Sequence, residues 1–143
     1  MRNNQPVIDE EYRFDPGSSL LSTTDLQGRI LHCNDAFVLV SGFTRDELLG
    51  QPHNLIRHPD MPPEAFADMW RTIRGGSPWT GLVKNRRKDG RYYWVRANVT
   101  PLLGSDGVVG YLSVRTAPEH EEVTAAQRVY DEMRADAGAG AGR

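Results

Sequence analysis

The sequence predicts an α+β domain: a five-stranded antiparallel sheet with short helices on one face, plus a C-terminal helix. Three observations carry this reading. β-prone runs occur as a pair near the start and as a triplet after the middle of the chain. The triplet is punctuated by Lys88-Asp89-Gly90 and Ser105-Asp106-Gly107, and Asp-Gly between alternating runs signals antiparallel hairpins. Between pair and triplet lie only short apolar-periodic segments, each opened by a capping residue or proline and closed by glycine.

The elements follow in order. Residues 1–19 mix charge, Asn, Gln, Pro and Gly with few apolar anchors, which predicts a mobile N-terminal cap. Residues 20–24 and 29–33 form a hairpin through Asp25-Leu-Gln-Gly28, with glycine where positive φ is wanted. Asn34 is an N-cap for a short helix carrying Phe37, Val38 and Val40, and Thr44 with Glu47 spells a capping box before Leu48 and Leu49. Pro62 and Pro63 open a helix whose Phe66, Met69, Trp70 and Ile73 fall at i, i+3, i+4 and i+7, with Gly75-Gly76 as the stop. Strands follow at 79–85, 92–100 and 108–115. In the middle one Tyr93, Val95, Ala97 and Val99 alternate with Trp94, Arg96, Asn98 and Thr100, giving one apolar and one amphipathic face. Thr116 with Glu119 reads as a second capping box, opening a helix over 117–137 with Val123, Ala126, Tyr130, Met133 and Ala137 on one seam. About two heptads are too few for independent stability, so a signalling or dimer helix and plain packing onto the sheet both stay open. Residues 138–143 read as a flexible tail.

With 143 residues one core is expected. The net charge of −2 gives no global attraction to nucleic acid, and the basic stretch Lys84, Arg86, Arg87, Lys88 reads as a solvated turn. Cys33 is the single cysteine, which excludes an intrachain disulfide and a thiolate metal cluster and points to a reducing, cytoplasmic compartment. No apolar stretch approaches the roughly 18 residues of a membrane span, and the first 19 are too polar for a signal-peptide core.

The densest chemistry lies in Gly50-Gln-Pro-His-Asn-Leu-Ile-Arg57-His58-Pro-Asp60-Met-Pro62. Its prolines fix φ and push neighbours away from helix, so the segment displays two histidines, an arginine and an aspartate rigidly. Such display suits a polar cofactor; the alternative is a turn whose charges are merely solvated.

The order strand, strand, helices, three strands, with Asn34 opening the first helix, resembles a PAS domain. The resemblance sharpens in Asp25-Leu-Gln27, Ser41-Gly-Phe43, Gly50-Gln-Pro-His-Asn54, Arg57-His-Pro-Asp-Met-Pro62, Ala65-Phe-Ala-Asp-Met-Trp70, Val83-Lys-Asn-Arg-Arg-Lys88 and Tyr93-Trp-Val-Arg-Ala-Asn98. Over residues 20–116 the chain is similar to the sensor module of the bacterial aerotaxis receptor (Aer) family. That resemblance implies a cytoplasmic, non-enzymatic module binding FAD non-covalently and reporting redox state or oxygen to a chemoreceptor-type signalling partner, with a homodimer as one form. It also implies a flavin site at Asn34, His53, Arg57, His58, Asp60, Trp70, Trp79 and Asn85. Family members continue into a membrane anchor, a HAMP segment and a helical bundle that the present sequence lacks, so a sensor-only protein or a fragment is expected. Light-sensing flavin relatives carry a cysteine where this chain has His53 and Asn54, so thiol-adduct photochemistry is not expected.

Under that reading each residue has a role and an ordinary alternative. Asn85 offers both amide functions to the pyrimidine edge of the flavin, and Val95, Ala97 and Val99 floor the ring. Trp70 or Trp79 stacks on a ring or simply fills the core. Arg57 and His58 are the cations for a reduced ring, Arg57 alternatively holding the pyrophosphate, since no glycine-rich fingerprint is present to do so. Asp60 orients its basic neighbours or caps the next helix, while His53 and Asn34 satisfy local backbone groups as their alternative. The competing readings are a PAS module binding haem through His53, His58 or His32, one binding no cofactor and serving in dimerisation, and a small flavin oxidoreductase.

Overall fold

The computed structural model describes residues 6–141, with side chains through residue 136. Strands β1 (Leu20–Thr24) and β2 (Ile30–Cys33) are followed by helices α1 (Asp35–Ser41) and α2 (Arg45–Leu48), a 3-10 turn (His53–Ile56) and helix α3 (Pro63–Arg74). Strands β3 (Trp79–Arg86), β4 (Tyr92–Gly104) and β5 (Gly107–Thr116) and helix α4 (His120–Ala141) complete the order. The sheet runs β2-β1-β5-β4-β3 with antiparallel neighbours throughout. The first hairpin therefore closes onto the last strand, and the helices between the two strand groups cross one face.

Local chemistry explains the boundaries. Asn34 Oδ1 accepts from Phe37 N at 3.0 Å, capping α1, and from Leu21 N at 3.1 Å, while Nδ2 donates to Ser19 O. One amide thus ties the helix start to β1. Thr44 and Glu47 complete a capping box, and Pro63 opens α3 where its missing N–H costs nothing. β4 runs beyond the expected Thr100, through Pro101, because β3 has already ended opposite Val99 and β5 alone pairs there.

The core lies between the sheet and α1–α3. Leu20, Ile30, Phe37, Val40, Leu48, Ile56, Val83, Tyr93, Val95 and Ala97 are all buried in one cluster. The apolar face of β4 is therefore the inner face, as its alternation predicts.

Three further boundaries differ from the sequence reading. Residues 6–19 are not a loose cap: Ile8 N donates to Gly90 O, Tyr12 N to Tyr92 O and Arg86 Nε to Pro6 O, and Phe14 meets Tyr93 edge-on. These partners lie some eighty residues away in the chain, so local composition did not report them; residues 1–5 lie outside the described part. Thr116 opens no helix. It pairs with Arg96 in the ladder, and Pro118 holds Ala117 out of helical geometry, so α4 starts at His120 with Glu122 accepting from Glu119 N. The helix also continues to Ala141 through part of the expected tail, leaving 142–143 outside the described residues. Its seam packs on the outer sheet face: Tyr130 stacks on Trp94 at 6.3 Å and donates to Leu82 O, and Glu122 pairs with Arg96.

Gly28 joins fold to site. Its φ is +82°, and a Cβ there would lie 3.1 Å from the Trp70 ring. Gly28→Ala is expected to cost about 1–2 kcal/mol through the left-handed backbone alone, and to displace Trp70. Urea denaturation checks the first effect and tryptophan emission the second.

Candidate functional site

A half-open cavity of about 250 Å³ lies where the first hairpin, the proline-bounded loop, α3 and the inner face of the sheet meet. β5 supplies Tyr111, Ser113 and Arg115 at alternate positions, β4 supplies Val99 and β3 supplies Asn85. α3 contributes Phe66, Met69, Trp70, Ile73 and Arg74, and the loop brings His53, Asn54, Ile56 and Arg57. Gln27 and Gly28 of the β1–β2 turn stand near Trp70 at the rim.

Backbone pairing positions the loop. Arg57 forms an isolated antiparallel bridge with Asn85, and His58 N donates to Lys84 O. Strand-like pairing alternates side-chain faces, so Arg57 follows Asn85 into the cavity and His58 turns away. Arg57 lies over the Phe66 ring at 3.8 Å, and Arg74 over the Trp70 ring at 4.8 Å. Trp70 also meets Tyr111 edge-on at 5.6 Å. Opposite, His53 Nε2 is 3.0 Å from Ser22 Oγ, and Arg115 Nε donates to Ser113 Oγ at 3.0 Å.

The electrostatics are one-sided. Among the described residues three arginines line the cavity and no carboxylate does. Burial pushes Arg115 down to about 10, lowers Arg57, and holds His53 well below its ordinary value, so this imidazole is neutral. Two buried donors, Asn85 Nδ2 and Arg115 Nη1, make no well-formed hydrogen bond, Asn85 interacting only weakly with the facing Tyr93 hydroxyl. Unpaired buried donors cost about 1–3 kcal/mol each, and such groups beside a cavity mark where a ligand's acceptors belong.

The eight expected site residues divide evenly. His53, Arg57, Trp70 and Asn85 line the cavity; Asn34, His58, Asp60 and Trp79 do not. Asn34 is a structural cap, as above. His58 is buried on the far side of the loop, its Nδ1 accepting from Asp60 N and its ring edge-on to Tyr92. Asp60 is exposed, 3.4 Å from Lys84 Nζ, and caps nothing, since Pro62 occupies the N-cap without a side-chain bond. Trp79 Nε1 donates to Asp68 across the start of β3. Val95 and Ala97 belong to the core, leaving Val99 as the part of the expected floor that reaches the cavity.

Arg115, Ser113, Tyr111 and Arg74 were missed. For three of them the signal was present: period-two alternation through β5 sends Tyr111, Ser113 and Arg115 to one face, and a charged residue closing an inward row is unusual. Among the described residues no group of histidine, cysteine and carboxylate side chains is arranged to hold a metal. No described helix is long and apolar enough to cross a membrane.

The PAS-fold family model matches residues 30–115, from the second strand to the end of the fifth. The chain belongs to the PAS-fold family. This PAS domain is 51% identical to the aerotaxis receptor of Escherichia coli K12 over 134 residues, 94% of the chain and 25% of the receptor. It is 30% identical to a nitrogen fixation regulatory protein of Klebsiella oxytoca over 116 residues, 81% of the chain and 23% of that protein. The domain thus spans about a quarter of the length of these relatives. Among solved structures, the light state of the blue-light photoreceptor Aureochrome1 LOV superimposes with a TM-score of 0.70 at 22% identity, covering 78% of this chain and 91% of that one. That likeness is one of fold.

Proposed function

We propose that this PAS domain is a non-enzymatic sensor that binds FAD, reports redox state or oxygen through the flavin's redox change, and serves energy taxis in the cytoplasm. The observation that carries the reading is the cavity itself: apolar faces, three arginines, no carboxylate among the described residues, and two buried donors without well-formed hydrogen bonds. The 51% identity to an aerotaxis receptor supports the same reading, with a chemoreceptor-type protein as the signalling partner and a homodimer as one form.

The residues fit the group. A flavin ring has apolar faces and an edge of carbonyl and nitrogen acceptors, and Asn85 and Arg115 supply donors for that edge. Trp70, Ile73 and Val99 supply surface for the faces. At about 250 Å³ the cavity lies slightly below the range of about 300–1,000 Å³ usual for small-molecule pockets. It suits the ring system, with Arg57 and Arg74 the permanently charged groups on hand for a pyrophosphate outside it. When bound, the flavin supplies reversible electron uptake, and its oxidised and reduced forms present different hydrogen bonds and charge. The protein reads that difference only through contacts that change, which here are those of β3, β5 and the loop.

The experiment is direct. Protein purified from a flavin-replete host is expected to carry close to one FAD per chain, released by heat and identified by chromatography. A flavin-free protein that also takes up no added FAD overturns the proposal.

A further inference from the structure

Buried and half-buried arginines in this domain normally have work to do inside the fold. Arg86 spends Nε on Pro6 O, and Arg87 reaches Leu39 O, Val40 O and Asp89. Arg115 is different. Its neighbours across the ladders are Leu20 on one side and Ala97 on the other, both apolar and facing the core. It is 6% exposed, its Nε meets only the neutral Ser113 hydroxyl, and its Nη1 is buried with no partner. A buried charge without a counter-charge is an expense to the fold, and replacing such a group with a well-packed apolar residue is commonly neutral or stabilising.

We propose that Arg115 is held in the sheet for the cavity's ligand and against the interest of the fold, and that its guanidinium keeps the reduced flavin in its anionic form. The second half rests on the flavin reading; the first does not. A low-potential donor that delivers two electrons leaves the ring with two extra negative charges. Uptake of one proton leaves one net negative charge, and uptake of a second leaves none. A permanent cation in a low-dielectric wall favours the first outcome.

The groups around Arg115 leave that choice to it. His53 is neutral, burial holds the Tyr93 hydroxyl protonated up to about 12, and Asn85 carries no charge. Arg57 adds a second positive charge from the loop, and among the described residues no acidic side chain lines the cavity beside Arg115. His58, expected from the sequence to be a cation for the flavin, faces away, so the role passes to a residue on the far strand.

The test uses Arg115→Met and Arg115→Lys in the full chain. With flavin stripped, Arg115→Met is expected to melt at or above the wild-type temperature; a clear drop, or failure to fold, shows that the arginine serves the fold and overturns the first half. Each protein is then reconstituted with FAD and its midpoint potential followed against pH on the acid side of neutrality, with dithionite as donor. The wild type is expected to take up one proton per electron pair, Arg115→Met two over the same range, and Arg115→Lys one, because charge is retained. Equal proton uptake in wild type and Arg115→Met overturns the second half. A wild type that binds no FAD instead overturns the proposed function, while the flavin-free melting result still decides the first half.

Discussion

Asn85→Leu is expected to weaken FAD retention by about 10- to 100-fold while leaving the flavin-free domain at least as stable as the wild type. The two effects have one cause. Asn85 is 1% exposed at the paired end of β3, and its Nδ2 has no well-formed hydrogen bond, with only a weak interaction toward the facing Tyr93 hydroxyl. Leucine has the same branched four-atom skeleton and no polar atom, with the cavity beside it to take its larger methyl groups, so the flavin-free protein sheds an unsatisfied donor. The ligand-bound protein loses a hydrogen bond and buries the ring's acceptor unpaired, which costs about 1–3 kcal/mol and corresponds to the stated loss. Equilibrium dialysis measures the first effect and urea denaturation the second. Asn85→Asp is expected to retain still less flavin, because a carboxylate supplies no donor and pairs with the cavity's arginines in the ligand's place. If both variants hold FAD as tightly as the wild type, Asn85 does not meet the flavin edge.

The parts of this domain that were legible in its sequence are those set by near neighbours. The Asn34 cap on Phe37, the Thr44–Glu47 box, Pro63 at its helix start and the positive φ of Gly28 are each local, and each sits where its chemistry requires. Strand pairing was legible too, because Asp-Gly turns and the alternation through β4 leave few other arrangements. Thr116 and Glu119 had the spacing of a capping box, but Pro118 and the ladder partner Arg96 outweigh a single cap. The N-terminal segment was illegible for the opposite reason: its polar composition is satisfied by Gly90, Tyr92 and Arg86, which no local pattern reveals.

The site was legible in part, for a geometric reason. Residues in a proline-bounded loop have no periodicity from which to read a face. Nothing in the run Arg57-His58-Pro59-Asp60 says that only its first member enters the cavity; the bridge from Arg57 to Asn85 decides that, and it joins segments 28 positions apart. β5 does have a periodicity, and reading it would have placed Arg115 beside Asn85 in the same cavity. Inward-facing polar residues on a strand are therefore better site indicators in this fold than the charged loop that first draws notice.

Acidification from pH 7 to pH 5 is expected to destabilise the flavin-free domain well before its carboxylates titrate. Burial, with Lys84 as the next cause, lowers His58 from 6.5 to about 4, and burial holds His53 well below its ordinary value. The charges around His58 are Lys84, Arg86 and Arg134 against the single Asp60, so no arrangement of neighbours rescues its protonated form. In the unfolded chain both imidazoles bind a proton near pH 6.5; in the folded chain they do not. The unfolded state therefore binds more protons between pH 6.5 and about 4, and stability rises with pH across that window. The contribution is complete above pH 6.5 and is lost as pH falls toward 4, at a limit of roughly 3 kcal/mol for His58 alone, from 1.36 kcal/mol per pKa unit. Carboxylates held low by their partners, such as Asp89 at about 2, act only below the ordinary carboxylate range, so between pH 6.5 and 5 the histidines dominate. Urea denaturation at pH 7, 6 and 5 reads the slope. His58→Gln keeps an acceptor for the Asp60 N–H and is expected to remove a large share of the pH dependence, leaving the part due to His53. An unfolding free energy that stays level from pH 7 to pH 5 in the wild type contradicts the neutral, buried state of both rings.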